Sequence, residues 1–307
     1  MRRISIFFKT LAAVSVCATL ISVVSCKSPP VEESNIHPLS LLDKDSSIYV
    51  SVPAKNYVDL TSKILSSKAE GISEQDAKKI VERIDVLYAG LSTPKDRARL
   101  QISAKGSFPG IAQKAVLTKK NGFEKQKYEF KDTKYPSIDY YSVDGNSFQL
   151  SFPHESLICA AQNLYPVLEK FAREVQLSDF TPFNWIGQDN DEILVYITKP
   201  GQYLQNLIGS SINVNSRAIY GNLRQMIGQP KDSGKYELDF AIELSESKSM
   251  NFIMNSITLS LRMMGASAYQ TNQNTIMVKG IPVSEKQIMD LFNRQNYKSK
   301  HFVIKDE

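Results

Sequence analysis

Two short segments, read with period two, constrain this chain most. Ser47-Ile48-Tyr49-Val50-Ser51-Val52 runs up to Pro53, and Glu192-Ile193-Leu194-Val195-Tyr196-Ile197 is followed by Pro200. Alternation sends successive side chains to opposite faces of a pleat, so each segment reads as a half-buried strand. Such a strand needs another layer across its apolar face, and one-sided helices supply it. Ser73-Glu74-Gln75-Asp76 has the capping-box form. Ala77, Ile80, Val81, Ile84, Leu87, Tyr88 and Leu91 then share one face, which predicts a helix ending near Gly90. Met250, Ile253, Met254, Ile257, Leu261 and Met264 form a second stripe that stops at Gly265. The expected fold class is α+β.

The elements recur in one order. Each alternating strand leads into a helix-like segment with an early tyrosine, Tyr57 or Tyr203, and Arg99–Ser103 resembles Glu237–Ala241 in pattern. Tyr140–Leu150 reads as a hairpin turning at Asp144-Gly145, with Ala268–Val278 as its counterpart. Pro153 and Pro282 follow these hairpins, each ahead of an expected helix with a serine near its start, Ser156 or Ser284. The reading is two divergent copies of a strand-helix-strand-hairpin-helix unit, 47–178 and 186–295, with Trp185 at their junction and a polar tail, 296–307.

The N-terminus addresses location. Met1, Arg2, Arg3 and Lys9 precede an uncharged run from Thr10 to Ser25, the pattern of an export signal. That run is shorter than the roughly 20 apolar residues of a spanning helix. Val23-Val24-Ser25-Cys26 resembles the bacterial lipobox. The resemblance implies that residues 1–25 are removed as a signal peptide, that cleavage falls between Ser25 and Cys26, and that the Cys26 thiol carries fatty-acyl glycerol of the palmitate type. Residues 26–46, with Pro29, Pro30 and Pro38, read as a lipid-anchored flexible tether.

Processing changes the charge. The chain carries 37 basic and 32 acidic residues, but Arg2, Arg3 and Lys9 leave with the signal, so 34 minus 32 gives +2. No global basicity remains to favour nucleic acid. Of the three cysteines, Cys17 is lost and Cys26 is acylated, so Cys159 has no disulfide partner. It lies in Ser156–Ala161, read as an apolar helical stretch in which a thiol packs as a small hydrophobe.

Motifs for catalysis or metal binding are absent from the sequence. His37, His154 and His301 are isolated, and no HExxH, CxxC, GxSxG or P-loop spacing occurs. Asp189, Asp191 and Glu192 read as a solvated loop, and Met250, Met254, Met263 and Met264 as core rather than a copper(I) site. No cofactor or metal is expected.

From Lys114 to Lys134 seven lysines face three acidic residues. Lys119, Lys120, Lys125 and Lys127 form a candidate face for an anionic envelope component or envelope protein. The competing reading is an edge strand guarded by lysines. The element order, with Lys105-Gly106-Ser107-Phe108-Pro109-Gly110, resembles duplicated lipoproteins of bacterial envelopes and implies no activity. The expected function is that of a non-catalytic binding or structural module anchored in the envelope membrane. Alternatives are a carrier with an apolar cavity between sheet and helices, and an envelope hydrolase uniting distant Ser, His and carboxylate groups.

Overall fold

The computed structural model describes residues 32–290 except 69–72, 93–98, 120–121, 144–147, 178–181, 188–190, 202–203, 205–214, 231–232 and 263–264. The chain divides into two compact units, one up to Asp191 and one from Glu192. No helix among the described residues is long and apolar enough to cross a membrane.

In the first unit, β1 (Ile48–Pro53), β2 (Ile84–Ser92), β3 (Arg99–Gly106), β4 (Phe123–Glu129), β5 (Ser137–Val143), β6 (Gln149–His154) and β7 (Leu157–Ala161) form an antiparallel sheet in the order β1-β2-β3-β7-β6-β5-β4. Helices α1 (Val58–Lys68) and α2 (Glu74–Val81) follow β1, α3 (Gly110–Val116) follows β3, and α4 (Tyr165–Ala172) and α5 (Phe183–Ile186) follow β7. Both sheet faces are covered. Val167, Leu168 and Phe171 of α4 pack with Leu157, Cys159, Ile138 and Tyr140, while Val81, Ile84, Ala104 and Phe108 form a cluster on which Val58, Phe152 and Ile158 pack. Trp185, expected at a junction, lies on α5 in the first unit, and α5 meets β1.

Three expectations change here. The helix predicted from Ser73 towards Gly90 stops at Val81, and Ile84–Ser92 is β2. Ser73 does cap it, its Oγ accepting the Asp76 N–H at 3.1 Å. Beyond Val81, however, pairing with both β1 and β3 satisfies the backbone better than continuing an isolated helix. The stretch around Cys159 is likewise strand β7, between β3 and β6. Apolar contacts on both faces remove the alternation that marks a half-buried strand.

The third change concerns the tether. Its C-terminal portion, from residue 32 to Ser46, is folded onto the first unit, with a 3-10 turn at Pro38–Leu41. Ile36, Leu39, Leu41 and Leu42 are each at most 4% exposed, and each such burial contributes about 1.5–3 kcal/mol relative to exposure. This strap presses closely on β2, where a Cβ on Gly90 would lie 2.8 Å from the Ser46 Oγ. Gly90 is thus a close-approach residue rather than a helix terminator.

The second unit holds β8 (Ile193–Ile197), β9 (Ser216–Gln225), β10 (Lys235–Leu244), β11 (Ser267–Asn272) and β12 (Thr275–Ser284), in the antiparallel order β8-β9-β10-β12-β11. Helix α6 (Met250–Arg262) lies on this sheet, its Met250, Ile253, Ile257 and Leu261 packed with Ile242, Leu244, Ile276 and Val278. Gly265 follows with φ 73°, a backbone that suits glycine just past a helix end. The β11–β12 hairpin is as expected. The turn of the β5–β6 hairpin, including Asp144 and Gly145, lies outside the described residues, as does Tyr203.

Candidate functional site

Four places carry the candidate residues. The first is the strap, which is held by polar contacts as well as burial. Lys170 of α4 donates to the Leu42 carbonyl at 2.7 Å and the Leu41 carbonyl at 3.2 Å, and pairs with Asp43 at 3.1 Å. Gln101 accepts the Asp43 N–H at 2.7 Å, while the Tyr49 hydroxyl donates to the Asp43 carbonyl and accepts the Ser46 N–H. Burial pushes the Tyr49 phenol up to about 12. Further upstream, Lys105 pairs with Glu33 at 2.8 Å, and Ser34 donates its N–H to the Ser156 Oγ at 2.9 Å. Ser25 and Cys26 lie outside the described residues.

The second place is the lysine face. Lys125 and Lys127 are exposed on β4, an end strand of the first unit's sheet, and their spacing sets them on one face. Lys125 pairs with Asp139 at 2.5 Å, and that bond raises the lysine above its ordinary pKa. Lys119 is exposed in the turn before β4, and Lys120 lies outside the described residues. The structure therefore brings together two of the four, one of them already neutralised.

The third place is an open recess of about 360 Å³ lined by Glu32, Gly110, Gln113, Phe152, Pro153, His154 and Glu155. It brings His154 together with the carboxylates Glu32 and Glu155, which sequence spacing did not select, and Ser156 lies buried next to it in the chain. His154 Nδ1 lies 2.8 Å from Ser156 Oγ and accepts the Ser156 N–H at 3.2 Å. An N–H donated to Nδ1 requires a lone pair there, so the neutral ring carries its proton on Nε2. The Glu155 carboxylate accepts the Gly110 N–H at 2.8 Å and thereby pins the start of α3. These bonds close the β6–β7 turn. Ser156 is 4% exposed, and its hydroxyl is already engaged by the strap.

The other candidates have structural positions. Cys159 is fully buried, and burial pushes its thiol up to about 12, far from a thiolate at neutral pH. Asp191 accepts from Asn56 Nδ2 at 3.0 Å, and Glu192 accepts from Asn222. His37 caps the strap's 3-10 turn and tilts against Tyr88. Met250 lies in the second unit's core with Met254 packed against it. Asp189, Met263, Met264 and His301 fall outside the described residues. No group of three or more His, Cys, Asp or Glu residues that could hold a metal occurs among the described residues.

The fourth place was read only from its inner side in the sequence. Between Lys248 and Arg262 the chain has no charged residue. The inner stripe of α6 is buried, and outward it presents Phe252, 44% exposed, and Leu259, 71% exposed, with the exposed Asn255 between them. A surface helix ordinarily carries charges on its solvent face. The missing charge is itself the signal that could have identified this face.

Residues 33–289 match the family described as "Outer membrane-associated lipoprotein TP0453". Crystal form I of TP0453 has a TM-score of 0.62 and 17% identity, covering 85% of this chain and 99% of that one. Crystal form III has a TM-score of 0.61 and 15% identity, covering 85% and 100% respectively. At these identities the likeness is one of fold. Among curated proteins, none matches the sequence.

Proposed function

The chain belongs to the outer membrane-associated lipoprotein TP0453 family, and from that premise we propose a non-catalytic module, anchored by lipid at Cys26, that rests on a bilayer through the outward face of α6. Its setting is the bacterial cell envelope, with membrane attachment. The observation that carries the proposal is the uncharged outer side of α6, with Phe252 and Leu259 exposed. Apolar side chains of a one-sided helix enter the headgroup boundary when no charged group opposes them. In sequence the run is bracketed by Lys248 and Arg262, residue types that suit the phosphate level.

Flotation with phospholipid vesicles tests this reading on the chain starting at Lys27, which lacks the anchor. Phe252→Glu with Leu259→Glu should abolish flotation while leaving circular dichroism unchanged. Equal flotation of both proteins would rule out the α6 contact. The anchor is tested separately: Cys26→Ser should remove acyl labelling, and normal labelling would refute the assignment.

Several features support a non-catalytic reading. The Ser156 hydroxyl lies under the strap, and Glu155 turns to Gly110 rather than to His154. The recess is lined largely by polar groups, which suits an apolar cargo poorly. Lys125 and Lys127 act in this reading as guards of an open sheet edge. Antiparallel self-pairing of β4 about Gln126 would set Lys125 against Lys127, which disfavours edge-to-edge association. The two units are read as divergent copies because each has a three-strand meander, a helix and a closing hairpin, in the spatial order first-second-third-last. The hairpin equivalent to β11–β12 is then β6–β7, not the Tyr140–Leu150 hairpin that the sequence pairs with it, and β4–β5 is an addition to the first copy.

A further inference from the structure

We infer that one end of the first unit, formed by Glu32, the start of α3 and the β6–β7 turn, is held against the bilayer that carries the anchor. The inference rests on the lipidation of Cys26 proposed above. A tether spanning residues 26–46 would let the unit stand some 60 Å away at about 3.1 Å per residue. The strap removes most of that length. Lys105–Glu33, Ser34–Ser156 and the Lys170 clamp at residues 41–43 fix it to the unit, and its own Ile36, Leu39, Leu41 and Leu42 are buried. Six residue steps then separate Cys26 from Glu32, at most about 20 Å even when fully extended.

Glu32 opens into the recess between Gly110 of α3 and His154–Glu155 of the β6–β7 turn. Whatever leaflet holds the acyl chains must therefore lie within a short reach of these groups. The local chemistry fits a membrane surface. Ile111, in the first turn of α3 and beside Gly110, is 81% exposed. Of the neighbouring carboxylates, Glu33 is paired with Lys105, while Glu155 accepts the Gly110 N–H and, like Glu32, keeps its negative charge. The partner is the bilayer itself, and the short leash selects which end of the unit meets it.

The test uses the full-length lipidated protein in vesicles containing phospholipids brominated near the headgroup. A fluorophore is placed at Ile111→Cys or at Gln162→Cys, the latter being exposed just past the opposite end of β7. Cys159 is buried and does not compete for label. Quenching should be several-fold stronger at position 111 than at 162. Inserting twenty Gly/Ser residues after Pro30 should reduce quenching at 111 to the level at 162 while flotation persists. Equal quenching at the two sites in an acylated, floating protein overturns the placement alone, as does an insertion that leaves the signal at 111 unchanged. A protein without acyl label overturns the anchor and the placement together.

Discussion

Helices α4 and α6 do the same work on their inner sides and opposite work on their outer sides. Each lays a stripe of apolar residues on an antiparallel sheet, Val167, Leu168 and Phe171 in one case and Ile253, Ile257 and Leu261 in the other. Outward, α4 pairs Glu169 with Arg173 at 3.1 Å and uses Lys170 to clamp the strap. Outward, α6 shows Phe252, Asn255 and Leu259 and no charge among its described side chains. The inner side is dictated by the sheet beneath it. The outer side is not set by that sheet: α4 uses it for an ion pair and the strap clamp, while α6 leaves it uncharged.

Breaking the shared inner side should cost most. Leu168→Ala and Ile253→Ala, both at completely buried positions, should each lower unfolding free energy by about 2–5 kcal/mol in denaturant titrations. A loss well under 1 kcal/mol at either site would contradict the packing described.

The α4 side carries a pH sensitivity through the residues its clamp organises. The Tyr49 phenol is raised to about 12 from 10.0, and the Cys159 thiol to about 12 from 9.0. Both folded pKa values lie above the unfolded ones, so folding favours the protonated forms. Their contribution is complete below about pH 9 and is lost as pH rises through the folded values. The tyrosine part has a ceiling of roughly 3 kcal/mol. Tyr49→Phe should flatten the loss of thermal stability between pH 10 and 12, and an unchanged slope would remove Tyr49 as a cause.

Lys170→Met should cost about 1–3 kcal/mol, because the Leu41 and Leu42 carbonyls lose a charged donor. Limited proteolysis within residues 32–46 should accelerate; unaltered cleavage would mean that burial alone holds the strap. The smallest stability effects should come from the outer faces. Leu259→Glu and Glu169→Leu should each stay within about 0.5 kcal/mol, yet only the first should weaken vesicle binding. Equal effects on binding would erase the contrast between the two helices.

Wherever one face of an element is buried, its pattern is legible in the residues. The alternation of β1, the Ser73 cap and the α6 stripe ending before Gly265 are all of this kind. Legibility fails at β7, where Ile158 and Cys159 both meet apolar neighbours on opposite faces, and at β2, whose Ile84, Leu87, Tyr88 and Leu91 also fit a helical stripe. Of the candidate sites, the lysine face was visible as composition, with a lysine-guarded edge strand already among its readings. The recess was invisible because Glu32, Gly110 and His154 are far apart in the chain.

The α+β class, the inner stripe and uncharged run of α6 and the lipobox-like segment before Cys26 are each written in neighbouring residues. That residues 32–46 are a strap is fixed by the fold. Those residues have no period of their own, and their burial depends on partners at Gln101, Ser156 and Lys170. Irregular backbone can be buried only where distant groups satisfy its hydrogen bonds, and a linear pattern does not display which distant groups will arrive.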